Sequence, residues 1–147
     1  MHFIWTSDLT SPTYHDALQI RHTVFVGEQG VPEEMEIDEL EGETDYIVGY
    51  VDDYPVATAR VLPIGQDTYK IQRVAVLKHY RGKQLGKNLM LEIERYAHQN
   101  KRSYLTLGAQ DHAIGFYSNL GYAIVGDGYL DAAIPHHDMK KEIISAN

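Results

Sequence analysis

Ile71-Gln72-Arg73-Val74-Ala75-Val76 runs through Leu77-Lys78-His79-Tyr80 into Arg81-Gly82-Lys83-Gln84-Leu85-Gly86-Lys87, and Leu85, Leu89, Ile93 and Tyr96 then mark one stripe of a helix. An apolar strand, a glycine-bearing turn and an amphipathic helix in immediate succession predict an α/β arrangement here. Such a turn directs several backbone N–H groups the same way, and the positive end of the helix dipole adds to them. It therefore suits a phosphate or pyrophosphate. Between residues 78 and 102 seven Lys or Arg accompany two acids, a balance of +5 in a chain of net −8, which leaves −13 for the rest. A positive island on an acidic protein favours an anionic ligand. Turn and helix-boundary chemistry would also place glycine and lysine here, and on the loop alone the two readings stand level.

Spacing excludes two familiar phosphate motifs. A P-loop needs four residues between its glycine and the Gly-Lys pair, followed by Ser or Thr. Here three residues separate Gly82 from Gly86, and Asn88 follows Lys87. A dinucleotide fingerprint would need a third glycine and an acidic residue about twenty positions further on.

At 147 residues the chain is expected to form one domain, residues 1–147, burying roughly 70% of its unfolded surface without a disulfide or structural metal. The absence of cysteine removes disulfides, thiolate zinc sites and a cysteine nucleophile together. Met1-His2-Phe3-Ile4-Trp5-Thr6 is too short an apolar run for a signal peptide, and no stretch approaches a membrane span, so a cytoplasmic protein without a membrane partner is expected. Net charge −8 argues against general nucleic-acid binding, which needs a broad basic face.

Along the chain the pattern is mixed. Residues 2–6 alternate as an edge strand. Ser11 reads as an N-cap with Pro12 at the first helical position, and Tyr14, Ala17, Leu18, Arg21, Val24 and Phe25 stripe a helix to about residue 26, ended or bent by Gly27. Residues 28–45 hold nine acids and no Lys or Arg, which predicts a solvated loop with one short helix, some of whose carboxylates could face a cationic substrate. Residues 46–51 and 56–62 flank the turn Asp52-Asp53-Tyr54-Pro55 as a hairpin, and Gly65-Gln66-Asp67 turns into the strand 68–76. A helix over 84–100, a strand at 104–107, a helix over 113–119 stopped by Gly121, and strands at 122–125 and 139–143 complete the reading.

Taken together, Arg73-Val74-Ala75-Val76, Tyr80-Arg81-Gly82-Lys83-Gln84-Leu85-Gly86, the helix, the short strand and Ala113-x-x-Phe116-Tyr117-x-x-Leu120-Gly121-Tyr122 resemble the GCN5-related N-acetyltransferase family over roughly residues 46–125. Arg21-His22-x-Val24-Phe25-Val26-x-Glu28-Gln29 and Ile134-Pro135-His136-His137-Asp138-Met139 are similar to its ElaA/YjcF-like bacterial branch. The family loop reads R/Q-x-x-G-x-G/A, and Gln84 stands where its middle glycine belongs. The replacement matters if the backbone there needs positive φ or a very close approach to phosphate, but a helix N-terminus can present its amides with negative φ, and the departure is expected to be tolerated.

The resemblance implies an α/β (α+β) fold, a mixed central sheet of roughly six to seven strands flanked by about four helices, with two splayed parallel strands. It implies that acetyl-CoA is the co-substrate, with no metal. Backbone groups of Val74, Ala75 and Val76 would pair with the pantetheine amides, the N–H groups of Gly82, Lys83, Gln84, Leu85, Gly86 and Lys87 would hold the pyrophosphate, and Arg81, Lys83 and Lys87 would supply charge. The acetyl group would pass directly to a primary amine of a small molecule or peptide in a ternary complex. An alkyl amine of pKa ~10 must first lose a proton, and the leaving thiolate benefits from a donor. Tyr117 occupies the family's donor position. His136 is the candidate base, in a loop expected just before the last strand, with His137, Glu28 and Asp38 as candidate substrate contacts. A zinc site at His136, His137 and Asp138 is disfavoured because adjacent side chains seldom converge on one ion. Homodimers are common in the family, and strand 2–6 or the last strand could pair across an interface. A module that senses acetyl-CoA without turnover and a nucleotide-binding protein are the alternatives.

Overall fold

The structure, a computed structural model, describes residues 1–143. The strands are β1 (His2–Thr6), β2 (Asp45–Val51), β3 (Tyr54–Ile64), β4 (Thr68–Val76), β5 (Tyr104–Gln110), β6 (Ala123–Ile124), β7 (Tyr129–Asp131) and β8 (Ile134–Glu142). The α-helices are α1 (Pro12–Arg21), α2 (Glu33–Glu36), α3 (Leu85–Gln99) and α4 (Ile114–Asn119). The strands hydrogen-bond in the order β1-β2-β3-β4-β5-β8-β6, with β7 on β8. The chain packs as two units: Met1–Leu62 with Arg73–Ile93, and Pro63–Gln72 with the chain from Glu94 onward.

In the first unit Ser11 caps α1 by accepting from the Tyr14 N–H (3.2 Å), and Pro12 is the first helical residue. Past Arg21 the winding widens into a π-helical stretch, His22–Glu28, so Gly27 lies inside the helix rather than ending it. β1 pairs antiparallel with β2, and β2 with β3. The β2–β3 hairpin turns on Asp52 and Asp53, both at positive φ (50° and 65°), the twist that a two-residue turn requires. Tyr14, Ala17, Ile20 and Val24 of the helix bury against Tyr46, Val48, Tyr50 and Ala75.

The acidic segment is solvated in part, with Glu28, Glu33, Glu34, Glu39 and Glu43 exposed, but Glu36 and Glu41 are buried and Asp38 is half-buried. Arg21, Arg60 and Arg73 stand on α1, β3 and β4; Arg21 and Arg60 are each only 1% exposed. Glu36, Asp38 and Glu41 answer them. Arg21 donates to Glu36 (2.7 Å) and, through both terminal nitrogens, to Glu41 (2.7 and 3.0 Å). Arg60 donates to Glu41 (2.8 Å) and bidentately to Asp38 (3.0 and 2.8 Å). Arg73 reaches the Glu36 carbonyl (3.0 Å) and lies 3.4 Å from the Asp38 and Glu36 carboxylates. The Tyr14 hydroxyl (2.9 Å) and the Asp38 N–H (3.1 Å) also donate to Glu41. A carboxylate so surrounded stays ionised. Burial pushes the Glu41 carboxyl up, but the hydrogen bonds and charge of Arg21 outweigh it and hold the group well below the usual carboxylate range. Buried arginines need this neutralisation, because an unpaired charge in the core is far costlier than a paired one.

In the second unit β4 runs parallel to β5, and their register covers Thr68–Ile71 with Tyr104–Leu107. β4 continues for five further residues, to Val76. β8 pairs antiparallel with β5 along its whole length, Tyr104↔Glu142 to Gln110↔His136. Two expectations are corrected here. The last strand begins at Ile134 rather than Met139, so His136 and His137 sit in a strand and not in a loop. An eighth strand, β7, forms a hairpin with β8 through Ala132 and Ala133 at positive φ (49° and 63°). Alanine at such positions carries no turn signal, which is why the sequence reading passes over it.

Candidate active site

Arg73 has φ of 55° and directly precedes Val74–Val76, so β4 kinks two residues after its last register position with β5. A left-handed conformation at a non-glycine residue costs about 1–2 kcal/mol, and the anchoring of the Arg73 side chain in the acidic network holds it there. The three residues beyond are the ones expected to meet pantetheine; Ala75 is buried and its neighbours are partly exposed.

After a 3₁₀ turn over Lys78–Tyr80 the loop reaches α3 with Gly82 at φ 77° and Gln84 at φ 63°. Of the two backbone angles weighed for Gln84, the structure has the positive one. Glycine would take this left-handed backbone without strain, and in this chain Gln84 adopts it. The Gln84 carbonyl accepts the first helical bond, from the Asn88 N–H (3.0 Å). Among the described residues no hydrogen bond is made by the N–H groups of Gly82 to Lys87. A side chain at Gly82 would meet no atom within 4 Å, so the loop is open there and glycine answers the backbone angle rather than crowding.

Arg81 is not free. Its terminal nitrogens donate to both Glu28 oxygens (2.9 Å each), and its Nε donates to the Val76 carbonyl (2.9 Å). This fork joins two residues to which the sequence reading gives separate roles, and it ties the loop to the end of the π-helical stretch. Asp38, the other candidate carboxylate, faces Arg60 and Arg73. Lys83 lies over the Tyr80 ring (5.8 Å).

The remaining candidates belong to the second unit. Tyr117, on α4, is 8% exposed and packs edge-on against Phe116 (5.0 Å) and Tyr122 (5.9 Å). Burial pushes its hydroxyl up to about 12, so it stays protonated at neutral pH. Among the described residues no group hydrogen-bonds this hydroxyl, which leaves its proton available. His136 is buried, and its Nδ1 lies 2.6 Å from the Ile134 carbonyl. A carbonyl only accepts, so Nδ1 carries the proton and Nε2 of the neutral ring is left as an acceptor. His137 stands next in β8 with Nδ1 2.7 Å from Asp111. Sequence reasoning missed Arg73, Tyr129 and Gly108. An arginine set directly before Val74-Ala75-Val76 in β4 was the legible sign of the first; the second lay in the unread hairpin.

The sequence profile of the Acetyltransferase (GNAT) domain matches residues 10–143, and the chain belongs to this acetyltransferase family. It is 41% identical over 129 residues to the uncharacterized N-acetyltransferase YjcF of Bacillus subtilis, spanning 86% of this chain and 91% of that one. It is 35% identical over 144 residues to the protein ElaA of Escherichia coli, spanning 95% and 94%. The crystal structure of ElaA superposes with a TM-score of 0.83, covering 96% of this chain and 100% of that one at 31% identity. An acyl-CoA N-acyltransferase from Pseudomonas aeruginosa gives a TM-score of 0.84 at 29% identity, covering 96% and 99%. The chain thus lies in the ElaA/YjcF-like branch, and the eight-stranded mixed fold with four helices is that of its relatives.

Proposed function

We propose that the protein is an acetyl-CoA-dependent N-acetyltransferase acting on a primary amine of a small molecule or peptide by direct attack in a ternary complex. The observation that carries this reading is the Gly82–Lys87 loop, with its unpaired amides at the positive end of α3 and Lys83 and Lys87 beside them. Family membership and a relative named for acyl-CoA support it. In this reading the loop amides take the pyrophosphate, and Val74–Val76 offer backbone groups to the pantetheine arm beyond the kink at Arg73. Arg81, held by Glu28, braces the loop, and Lys83 and Lys87 lend it charge. The amine nitrogen loses its proton to His136 Nε2 and attacks the thioester carbonyl. The carbon–sulfur bond then breaks, Tyr117 gives its proton to the departing thiolate, and the second proton shed by the acylated nitrogen returns the Tyr117 phenolate to the phenol. An unpartnered, protonated hydroxyl suits this donation and favours an enzyme over a module that only senses acetyl-CoA.

Calorimetric titration with acetyl-CoA, CoA and ATP, followed by a screen of primary amines for CoA release, tests the proposal. Micromolar binding of acetyl-CoA with weak ATP binding and turnover on an amine is expected. Binding without turnover on any amine would favour the sensing module, and no binding would remove both. Two loop variants probe the backbone. Gly82→Val forces a β-branched residue to positive φ and should weaken acetyl-CoA binding about tenfold, through a cost of about 1–2 kcal/mol. Gln84→Gly relieves a left-handed residue and should leave affinity intact, with a gain in stability of up to about 1 kcal/mol. Weaker binding in Gln84→Gly would show that its side chain, rather than the backbone, matters to the ligand.

A further inference from the structure

Around the His136 ring four residues form an arrangement that packing of a surface hairpin does not require. Tyr129 of β7 lies directly opposite His136 in the β7–β8 register, and their rings stack at 5.8 Å with an interplanar angle of 19°. The Tyr129 hydroxyl donates to Asp138 Oδ1 (2.6 Å), two residues along the same strand. Gly108 of β5 pairs with Asp138, and a Cβ on Gly108 would overlap the Tyr129 hydroxyl. Gly108 thus leaves the slot in which the hydroxyl sits. The far end of the tyrosine is tethered, its face lies on the imidazole, and the imidazole in turn gives its Nδ1 proton to the Ile134 carbonyl (2.6 Å). Two contacts of different kinds therefore fix one ring. Stacking restrains rotation of the imidazole, and the carbonyl chooses which nitrogen is protonated. Burial and the hydrogen bond to Asp138 also push the Tyr129 hydroxyl up, so the tether stays protonated.

We propose that Tyr129 is a positioning residue: anchored by Asp138 in the slot beside Gly108, it holds the His136 imidazole as the Nδ1–H tautomer with Nε2 as its only accepting nitrogen. The proposal deepens the acetyltransferase reading and rests on it for the use made of Nε2. The arrangement of the ring itself is independent of that reading. Tyr129 does not touch the reacting atoms; it acts through His136.

Long-range ¹H–¹⁵N correlation spectra of the full chain, with histidine labelled at both ring nitrogens and His136 assigned by substitution, read the tautomer directly. At a pH where the ring is neutral, the wild type should show His136 as one tautomer, protonated at Nδ1. Tyr129→Leu, which removes the stacked ring, should give a mixture of tautomers and lower amine-dependent CoA release about tenfold or more, while acetyl-CoA affinity stays within about twofold. Tyr129→Phe keeps the ring and loses only the tether, so it should fall between the two and serves as the test if the leucine variant folds poorly. A wild-type His136 protonated at Nε2, or variants whose tautomer and turnover match the wild type, would overturn the proposal. A locked tautomer together with full turnover in His136→Gln would uphold the positioning of the ring and remove His136 as the base, so the two readings fail separately.

Discussion

Glu41→Ala is expected to lower the stability of the protein by about 3–5 kcal/mol, the range for removing one partner from a buried, hydrogen-bonded charge cluster. The carboxylate accepts from Arg21 twice and from Arg60, Tyr14 and the Asp38 N–H. Alanine would leave two guanidiniums, each 1% exposed, with Glu36 and Asp38 as their remaining counter-charges. A whole domain is stable by only about 5–15 kcal/mol, so the variant should sit near the edge of folding. Tyr14→Phe, which removes one donor and no charge, should cost about 1–2 kcal/mol. Urea midpoints at constant slope measure both, and a loss below about 1 kcal/mol in Glu41→Ala would mean that the cluster is solvated in solution. The pH dependence has a definite sign. The folded Glu41 carboxyl is held below its unfolded value, near ~4.3, so its contribution is present above that pH and is lost as the pH falls toward the folded value. Glu41→Gln cannot protonate further, and its stability should fall less steeply below pH ~4 than that of the wild type.

Tyr117→Phe should lower turnover by about 10²-fold or more, in the range for loss of a general acid, with acetyl-CoA affinity within about twofold of the wild type. The expected split follows from the surroundings of the hydroxyl. It has no hydrogen-bond partner among the described residues, and the ring makes the packing contacts with Phe116 and Tyr122, which phenylalanine retains. Folding stability should therefore change by less than about 0.5 kcal/mol. CoA release with the amine found by screening, beside calorimetric affinity for acetyl-CoA, reads the two effects apart. Equal losses in binding and turnover would remove the acid role.

Much of the frame could be read from residue order. Ser11-Pro12, Asp52-Asp53 and the stripe from Leu85 to Ile93 carry local signals strong enough to place α1, the first hairpin and α3. The misses have separate causes, one in partners distant in sequence and the other in a turn built without turn residues. Most of the nine acids in residues 28–45 are exposed as read, but Glu36, Asp38 and Glu41 meet three arginines from other elements, although Arg21 already stood in the apolar stripe of its helix. Ala132-Ala133 takes up a turn conformation that the strands on either side impose, and with it β7 and Tyr129 stayed hidden. Gln84 is the opposite case: its place in the family pattern was visible, and only the structure supplied its backbone angle. Of the candidate residues, the loop and Tyr117 were legible as motif positions, whereas the pairing of Glu28 with Arg81 required the fold.

The cluster of Arg21, Arg60 and Arg73 with Glu36, Asp38 and Glu41 cancels its own charge, so the net −8 of the chain is carried by groups outside it. Solubility, behaviour on an ion exchanger and response to added salt are therefore properties of an outer shell that can be recharged by substitution. The interior electrostatics would be changed far less by such recharging, because buried and partly buried pairs are screened little by salt.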